Sequence, residues 1–294
     1  MHTPPIRSLP FRHNQKPGLG FEVFRLSSLF AREDRRVLPH ALVTPVRPEF
    51  HTVYVGLAGR GRIDVDFAPT PIGKGLVTFV ARGRIQSFPE RGIDAWMLVF
   101  TPEFLQVAPG TPDPLLFPSV LSPLWAEPAL SPGAADARAL LALAEQLDQE
   151  HARPLDALQP WLLSALLRTL LLRAERLAGP RTTPHAALAA FFTILERDHA
   201  TTRSVAHYAR AAGVSVRRLA ELVVAETGRS KKQVIYERVV LEHKRLLAYT
   251  GLSVKELADR TGFPEPTNLV KFFRRHTGTT PLVFRRNLPS GRRS

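Results

Sequence analysis

The sequence predicts an α+β protein in which a β-barrel or β-sandwich with two following helices precedes an all-helical domain. Three observations support this prediction. Short apolar runs separated by Gly and Pro recur up to about residue 105, as expected for strands and turns. From Ala134 onward, apolar residues follow the helical period. The excess of positive charge lies almost entirely after residue 180.

Length and composition exclude several classes of protein. The chain has 294 residues, of which 44% are hydrophobic, so it can bury a core and is not a disordered polymer. It contains no cysteine, which excludes disulfides, thiolate metal sites, iron–sulfur clusters and cysteine nucleophiles. The N-terminal residues lack the apolar run of a signal peptide. The most apolar stretch, 161–172, contains Arg168 and is shorter than the roughly 20 residues of a membrane-spanning helix. We therefore expect a cytoplasmic protein without membrane association.

The charge is divided unevenly along the chain. The whole chain carries a formal net charge of +14. Up to Pro180 there are 19 basic and 17 acidic residues, and after it there are 21 basic and 9 acidic residues, so the two parts carry +2 and +12. A near-neutral part joined to a basic part is typical of proteins with a nucleic-acid-binding domain. The segment 178–184, AGPRTTP, breaks regular structure and divides the chain into predicted domains 1–178 and 179–294.

The first domain is predicted from its strands and from two leucine-rich helices. The strand-like runs are FEVFRL, HTVYVGL, RIDVDF, LVTFVA and AWMLVF. The helical apolar positions are Leu140, Leu141, Ala144 and Leu147, followed after Pro160 by Leu162, Leu163, Leu166, Leu167, Leu170 and Leu171. This apolar stripe is broader than one packing surface needs. Two interpretations carry equal weight: part of it forms a homodimer interface, or all of it covers the sandwich.

The basic domain contains a duplicated unit. Gly213 and Gly262 are 49 residues apart, and Gly228 and Gly278 are 50 residues apart. The surrounding sequences correspond, VAHYARAAGV with VKELADRTGF and AETGRSKKQVIYER with RHTGTTPLVFRR. The second copy therefore has one additional residue.

Each copy has the pattern of a helix-turn-helix, which needs a small residue at the helix contact, a glycine in the turn and apolar positions behind the second helix. We predict the two units near 204–226 and 253–278. In the first, Ala209 is the small residue, Gly213 the turn and Ser215 the cap of the second helix. Ala258 and Gly262 repeat this spacing in the second. The predicted core residues are Tyr208, Ala212, Val214, Leu219 and Leu222 in the first unit, and Leu257, Phe263, Leu269, Phe272 and Phe273 in the second.

At these residues the sequence resembles the AraC/XylS family of bacterial transcription regulators. The most specific stretch is LSVKELADRTGFPEPTNLVKFFRRHTGTTPLVFRR, and the likeness spans the whole basic domain. The segments LPH, RPEFHTVYVGLAGRGRIDV and GLVTFVARGRIQSF resemble that family's cupin-type sensor domain more loosely. The resemblance implies a cytoplasmic DNA-binding regulator that is commonly dimeric and often responds to a small molecule.

The resemblance also implies which side chains read bases, since family members use the exposed face near the start of each recognition helix. The major groove of DNA is wide enough to admit an α-helix, which brings the side chains of this face to the base edges. Glu221 has two interpretations: it accepts a hydrogen bond from cytosine, or, as we favour, it orients two arginines one helical turn away. Pro264 and Pro266 supply no side-chain donors, so the second helix is expected to read bases less strongly. The predicted base-reading residues are Arg217, Arg218 and Glu221 in the first helix and Thr267, Asn268 and Lys271 in the second.

The remaining basic residues of this domain are expected to contact phosphates and thereby position the protein on the duplex. These residues are Lys231, Lys232, Lys244, Arg245, Arg274, Arg275, Arg285 and Arg286.

The first domain offers candidates for a ligand site. A cupin-type metal site needs several histidines and a carboxylate, but His51 stands alone where an H-x-H pair is wanted and Gln86 occupies the place of a further histidine. We therefore predict no metal and no cofactor, and a hydrogen-bonded structural role is the favoured interpretation of His51. No cluster of arginines or carboxylates indicates the charge of a ligand. The residues that could line a ligand pocket are His40, His51, Tyr54, Gln86 and Trp96.

Taken together, these features predict a sequence-specific transcription regulator that is not an enzyme. Its expected partners are double-stranded promoter DNA, a second copy of the chain, an unidentified small-molecule effector and, for an activator, RNA polymerase. Activation rather than repression is implied by the resemblance alone. The alternatives are a cupin-type enzyme or ligand-binding protein with a basic tail, and an architectural DNA-binding protein with little sequence preference.

Overall fold

The computed structural model describes residues 8–11, 16–31, 45–88, 92–105, 119–121, 129–179 and 186–288. The chain forms two compact units that divide after residue 180. No helix in the described parts of the chain has the length and apolar character needed to cross a membrane.

Strands form most of the first unit up to residue 100. The strands are β1 (Ser8–Leu9), β2 (Phe21–Arg25), β3 (Arg47–Pro48), β4 (His51–Ala58), β5 (Arg60–Val65), β6 (Ala68–Gly73), β7 (Val77–Val80), β8 (Asp94–Phe100) and β9 (Ala129–Leu130). Five of them make an antiparallel sheet in the order β2-β8-β4-β7-β9, β5 and β6 form a hairpin, and β1 pairs in parallel with β3.

Among the described residues, three α-helices accompany these strands. A short helix, α1 (Leu26–Ala31), follows β2, and the two predicted leucine-rich helices are α2 (Ala134–His151) and α3 (Gln159–Leu177). Both long helices end close to the positions at which the apolar periodicity ends.

The five-stranded sheet is buried on both faces because successive side chains of a strand point to opposite sides. Val53 of β4 and Leu98 of β8 share one apolar cluster with α2 and α3. Tyr54 and Met97, one residue away in each strand, belong to a second cluster with the β5–β6 hairpin, represented by Ile63. The sheet is therefore covered by helices on one face and by a hairpin on the other, in agreement with the predicted fold class.

The leucine stripe of α2 and α3 divides into a buried and an exposed part. The buried part packs on the sheet and includes Leu140, Ala144, Leu147, Leu163, Leu167, Leu170 and Leu171. Leu162, which the periodicity also placed in the stripe, is exposed together with Leu158, Trp161 and Leu172. One part of the stripe therefore covers the sandwich, and another part faces away from it.

The second unit is helical throughout its described residues. Its helices are α4 (Ala186–Asp198), α5 (Val205–Ala211), α6 (Val216–Thr227), α7 (Lys231–Tyr249), α8 (Val254–Arg260), α9 (Pro266–Thr277) and α10 (Pro281–Arg286). Helices α5 and α6 form the first helix-turn-helix and α8 and α9 the second, with α7 between them. Gly228 and Gly278 end α6 and α9 in the left-handed conformation, with φ of 65° and 75°, which glycine adopts without steric cost.

The predicted cores of both helix-turn-helix units are largely confirmed. Tyr208, Ala212 and Leu219 are buried in the first helix-turn-helix, and Leu257, Phe263, Leu269 and Phe273 are buried in the second. Leu222 is only half-buried, and the fully buried residue is its neighbour Val223, which lies four residues after Leu219 on the same face of α6. Val214 and Phe272 are also half-buried.

Candidate nucleic-acid interface

The first recognition helix, α6, presents its basic side chains at its N-terminal end. The hydroxyl of Ser215 accepts a hydrogen bond from the backbone N–H of Arg218 (3.1 Å), so the predicted cap is confirmed. The side chain of Arg217 is 92% exposed. The two oxygens of Glu221 lie 3.3 Å from Nε of Arg217 and 3.3 Å from Nη1 of Arg218. This is the pairing that the orienting interpretation of Glu221 requires.

The second recognition helix, α9, begins differently. Its N-cap is Glu265, whose side chain makes no capping hydrogen bond, and Pro266 occupies the first turn. Thr267, Asn268 and Lys271 are exposed. The hydroxyl of Thr267 donates to Oε2 of Glu265 (3.2 Å), so this hydroxyl already has an acceptor. A carboxylate at the start of the helix also repels phosphates.

Helix α7 connects the two helix-turn-helix units through a shared core. Val239 and Leu246 of α7 pack with Leu257 of α8 and with Leu269 and Phe273 of α9 in one buried cluster. The N-terminus of α7 carries a complete capping box, in which Ser230 and Gln233 each accept from the other's backbone N–H. The second helix-turn-helix is thereby packed on α7, the long helix that follows the first helix-turn-helix.

The predicted phosphate contacts differ in exposure. Lys232, Arg274, Arg275 and Arg286 are exposed, and Lys231 and Lys244 are half-buried. Arg285 donates from Nε to the carbonyl oxygen of Leu247 (3.1 Å) and from Nη2 to that of Leu252 (2.5 Å). Its guanidinium therefore holds α10 against α7 and the α7–α8 connection. Burial lowers the pKa of Arg285 from its ordinary value.

The prediction that Arg245 contacts phosphate is wrong. Its side chain is 2% exposed, and Nη1 lies 3.4 Å from Oε2 of Glu242. Glu242 also pairs with Arg238 (3.4 Å) one turn earlier on the same inward face of α7. Arg238 in turn donates from Nε to both oxygens of Glu196 of α4, at 2.9 and 3.0 Å. Arg245 is thus part of a buried ion-pair network, which a count of basic residues does not reveal.

Arg203 is a site residue that sequence reasoning missed. It lies just before α5, and it donates to the carbonyl oxygens of Thr261 (2.9 Å) and Gly262 (2.6 Å) in the turn of the second helix-turn-helix. These two contacts join residues that are 58 and 59 positions apart in the sequence. No local signal in the sequence indicates such a long-range contact.

His243 lies in the core between α7 and the second helix-turn-helix. Its Nε2 lies 3.0 Å from Oγ1 of Thr261, and that hydroxyl donates to the carbonyl oxygen of Leu257 (2.7 Å). The ring therefore donates from Nε2 as a neutral imidazole. Burial foremost, and then the charge of Arg203, lower the pKa of His243 to about 3, while Glu242 acts in the opposite direction.

The lowered pKa of His243 makes the stability of the helical unit after residue 180 depend on pH. Below the ordinary pKa of 6.5 the unfolded chain binds a proton that the folded chain does not bind until about pH 3. The free energy of unfolding is therefore expected to fall by up to about 1.4 kcal/mol per pH unit in that range. A His243→Gln variant, which retains a donor for Thr261, should show a shallower loss in urea unfolding between pH 6.5 and 4. Equal slopes for the two proteins would contradict this role of His243.

The predicted ligand-lining residues that the structure describes lie on both faces of the sheet. His51 is paired with Phe100 across β4 and β8, and their rings stack at 5.4 Å. Trp96 lies on this same face in the helix-side cluster. Tyr54 points to the opposite face, where its hydroxyl lies 3.5 Å from Oε1 of Gln86. Residues 51 and 54 are an odd number apart, so strand alternation separates them. His40 lies outside the described residues.

His51 is hydrogen-bonded to the backbone, as the favoured interpretation of this residue requires. The backbone N–H of Arg82 donates to its Nδ1 (3.1 Å). Desolvation, and to a smaller extent the charge of Arg82, lower the pKa of His51 to about 3, so the ring is neutral near pH 7. Within the described residues, no group of three or more His, Asp or Glu side chains is arranged to hold a metal ion.

A groove of about 720 Å³ lies elsewhere in the first unit, between the β5–β6 hairpin and the start of α2. Arg60, Arg62 and Lys74 line it, together with Leu76 and Ser131 among other residues. In the sequence, no cluster of arginines indicates a ligand's charge, whereas the structure places these three cationic side chains along one groove. Arg60 and Arg62 are two residues apart on β5, and the β5–β6 hairpin brings Lys74 to the same groove.

Comparisons with known proteins find similarity chiefly over the second unit. Residues 208–287 match the family model of a helix-turn-helix domain. The DNA-binding domain of the global transcriptional factor AdpA, solved with a target DNA, is 31% identical, over 34% of this chain and 90% of that chain, with a TM-score of 0.32. An AraC-type regulator from Chromobacterium violaceum is 24% identical, over 35% of this chain and 95% of that chain, with a TM-score of 0.32.

A third structure is similar over a longer range. ToxT from Vibrio cholerae O395 is 10% identical, over 92% of this chain and 99% of that chain, with a TM-score of 0.42. A search of curated proteins finds no match.

Proposed function

Because this chain belongs to the AraC/XylS family of helix-turn-helix transcription regulators, we propose that it binds promoter DNA sequence-specifically as a cytoplasmic homodimer and activates transcription in response to a small molecule. The observation that carries the proposal is the pair of helix-turn-helix units, each with exposed polar side chains at the start of its second helix. These units lie in the part of the chain with a net charge of +12, which favours a polyanionic partner.

The two recognition helices have different capacities to read bases. Arg217 extends from α6 and can donate two hydrogen bonds to guanine, and Asn268 on α9 can pair with adenine. Each bidentate contact contributes about 1–3 kcal/mol of discrimination. Since Thr267 is hydrogen-bonded to Glu265, α9 has fewer free donors at its start. We propose that α6 supplies most of the base specificity and that α9 chiefly fixes the register.

Arg217 and Lys232 provide a matched pair of substitutions, because both side chains are exposed and each loses one positive charge on replacement by alanine. Arg217→Ala is expected to relax preference at one base position by about 1–3 kcal/mol. Lys232→Ala should weaken binding to all sequences alike and lower the log–log salt slope by about 0.9. Binding to a selected site and its single-base variants at several salt concentrations separates these effects. If Arg217→Ala leaves base preference unaltered, the assignment of Arg217 is wrong.

The exposed apolar face of α3 supports a homodimer. Leu158, Leu162, Ala165, Thr169 and Leu172 follow one another at alternating intervals of four and three residues, which is the spacing of a two-helix coiled coil. Ala165 and Thr169 are exposed like the three leucines.

Trp161 flanks this row and is 75% exposed. An exposed patch that includes several leucines and a tryptophan marks an interaction surface. We define the α3 seam as Leu158, Trp161, Leu162, Ala165, Thr169 and Leu172, and propose that the α3 seam of a second copy covers it.

Response to a small molecule is supported by the groove beside the β5–β6 hairpin. Its lining by Arg60, Arg62 and Lys74 favours an anionic effector, for electrostatic reasons. Thermal-shift measurements with a panel of small carboxylates and phosphates test this: a compound that stabilises the wild type should lose its effect on Arg62→Ala. For an activator, RNA polymerase is the further partner that the DNA-bound dimer would contact.

A further inference from the structure

Arg203 bridges the two helix-turn-helix units through three contacts. Its Nη1 and Nη2 donate to the carbonyl oxygens of Thr261 (2.9 Å) and Gly262 (2.6 Å). The carbon at the centre of its guanidinium lies 4.0 Å from the centroid of the Phe263 ring. Residues 261–263 lie in the turn between α8 and α9, so all three contacts are made to the element that sets the direction of the second recognition helix.

The turn between α8 and α9 also packs against the α4–α5 connection, which leads into the first helix-turn-helix. Gly262 has a φ of +67°, and a Cβ atom added there would lie 3.0 Å from the carbonyl oxygen of Ala200 and 3.2 Å from that of Thr201. A side chain at this position would be strained by its backbone conformation and crowded by these carbonyls. The absence of a side chain lets the α4–α5 connection approach the turn closely enough for Arg203 to reach it.

The opposite side of the turn is held by α7. The hydroxyl of Thr261 receives the hydrogen bond from Nε2 of His243 (3.0 Å). The turn is therefore fixed between the long helix and the segment before α5. Of these two supports, only Arg203 comes from the start of the first helix-turn-helix, and its planar group satisfies two acceptors and stacks on a ring at once.

We propose that Arg203 is a positioning residue that fixes the distance and angle between α6 and α9 and thereby determines which spacing of half-sites the protein accepts. The inference rests on the proposed function, in which both helices enter grooves of one duplex. Successive major grooves on one face are about 10–10.5 base pairs apart. A rigid pair of helices matches one spacing, whereas a loosened pair tolerates several. Both Nη atoms of Arg203 are engaged by backbone oxygens, so this role does not require Arg203 to contact DNA.

Spacing preference distinguishes positioning from a merely structural role. The full-length protein is bound to a site selected from random duplexes and to two versions in which one base pair is inserted or removed between the half-sites. Wild type is expected to favour the selected spacing by about tenfold, equivalent to about 1.4 kcal/mol. Arg203→Met, which keeps the apolar stem but no donor, should reduce this ratio to about threefold or less. It should retain the same affinity for a duplex that contains only the α6 half-site.

Arg210→Ala is the matched control. Arg210 is exposed on α5 of the same unit, so its removal deletes the same charge without touching the bridge. It is expected to weaken binding to all three duplexes by a similar factor and to leave the spacing ratio at the wild-type value.

Two results would overturn the inference. One is a folded Arg203→Met variant with the wild-type spacing ratio. If that variant does not fold, Arg203→Lys replaces it, because an ammonium group keeps the charge but cannot span both carbonyl oxygens and stack as a plane. A wild-type ratio in Arg203→Lys then overturns the inference. A wild-type protein without sequence preference would instead contradict the proposed function itself, and this inference with it.

Discussion

Replacing Glu242 by glutamine is expected to lower the free energy of unfolding of the second unit by about 3–5 kcal/mol. The Glu242 carboxylate lies between Nη1 of Arg238 and Nη1 of Arg245, at 3.4 Å from each. The two arginine side chains are only 5% and 2% exposed. Glutamine preserves the size of the side chain but removes the negative charge that Arg238 and Arg245 share. Arg238 keeps its pair with Glu196, so the larger loss falls on Arg245. Removing the carboxylate from the centre of a buried ion-pair network is far costlier than losing a surface pair, because the remaining charges lie away from water.

Glu237→Gln is the control for this prediction. Glu237 lies on the same helix and pairs with Arg229 at 2.7 Å, but both side chains are close to half exposed. Its replacement should cost less than about 1 kcal/mol. Urea unfolding of the full chain, followed by the helical signal, measures both variants. Equal destabilisation by the two substitutions would contradict the stabilising role of Glu242.

The full chain with Leu162→Asp is expected to sediment as a monomer and to bind a promoter carrying two copies of its site at least about 100-fold more weakly than wild type. Leu162 lies at the centre of the α3 seam and is 49% exposed in a single chain. A carboxylate there would be buried without a partner on association, at a cost of several kcal/mol. Because the second site is bound intramolecularly by a dimer, the loss of dimerisation removes the gain from effective concentration.

Gln146→Asp controls for the added charge. Gln146 is exposed on α2, so the same negative charge is introduced on a polar surface. This variant should remain a dimer and should bind the two-site promoter as wild type does. A dimeric Leu162→Asp protein would show that the α3 seam is not the dimer interface, and a monomeric wild type would contradict the homodimer itself.

The helix-turn-helix units could be predicted from local features of the sequence. Gly213 and Gly262 mark turns, Ser215 marks a cap, and the duplication presents each feature twice. Such features act within a few residues, and the structure contains both helix pairs where the pattern places them. The buried stripes of α2 and α3 were also predictable, because a helical apolar period determines which residues share a face.

The site features that were not predicted depend on contacts between residues far apart in the sequence, or on the alternation of side chains along a strand. Arg245 has the same charge as the exposed Lys232, and only the inward face of α7 makes it a buried partner of Glu242. Arg203 acts on Thr261, which is 58 residues away. His51 and Tyr54 were grouped by their chemistry, although strand alternation places them on opposite faces of the sheet.

Selection of bound sequences from random duplexes by the full-length wild type tests most directly whether two helices of one chain read one duplex. The predicted result is a site with two half-sites about 10–10.5 base pairs apart. The half-site read by α6 is expected to be more strongly selected and to contain a guanine that Arg217→Ala no longer prefers. Recovery of duplexes with no common sequence at modest salt would contradict sequence-specific binding, and recovery of a single half-site would contradict reading by both helices.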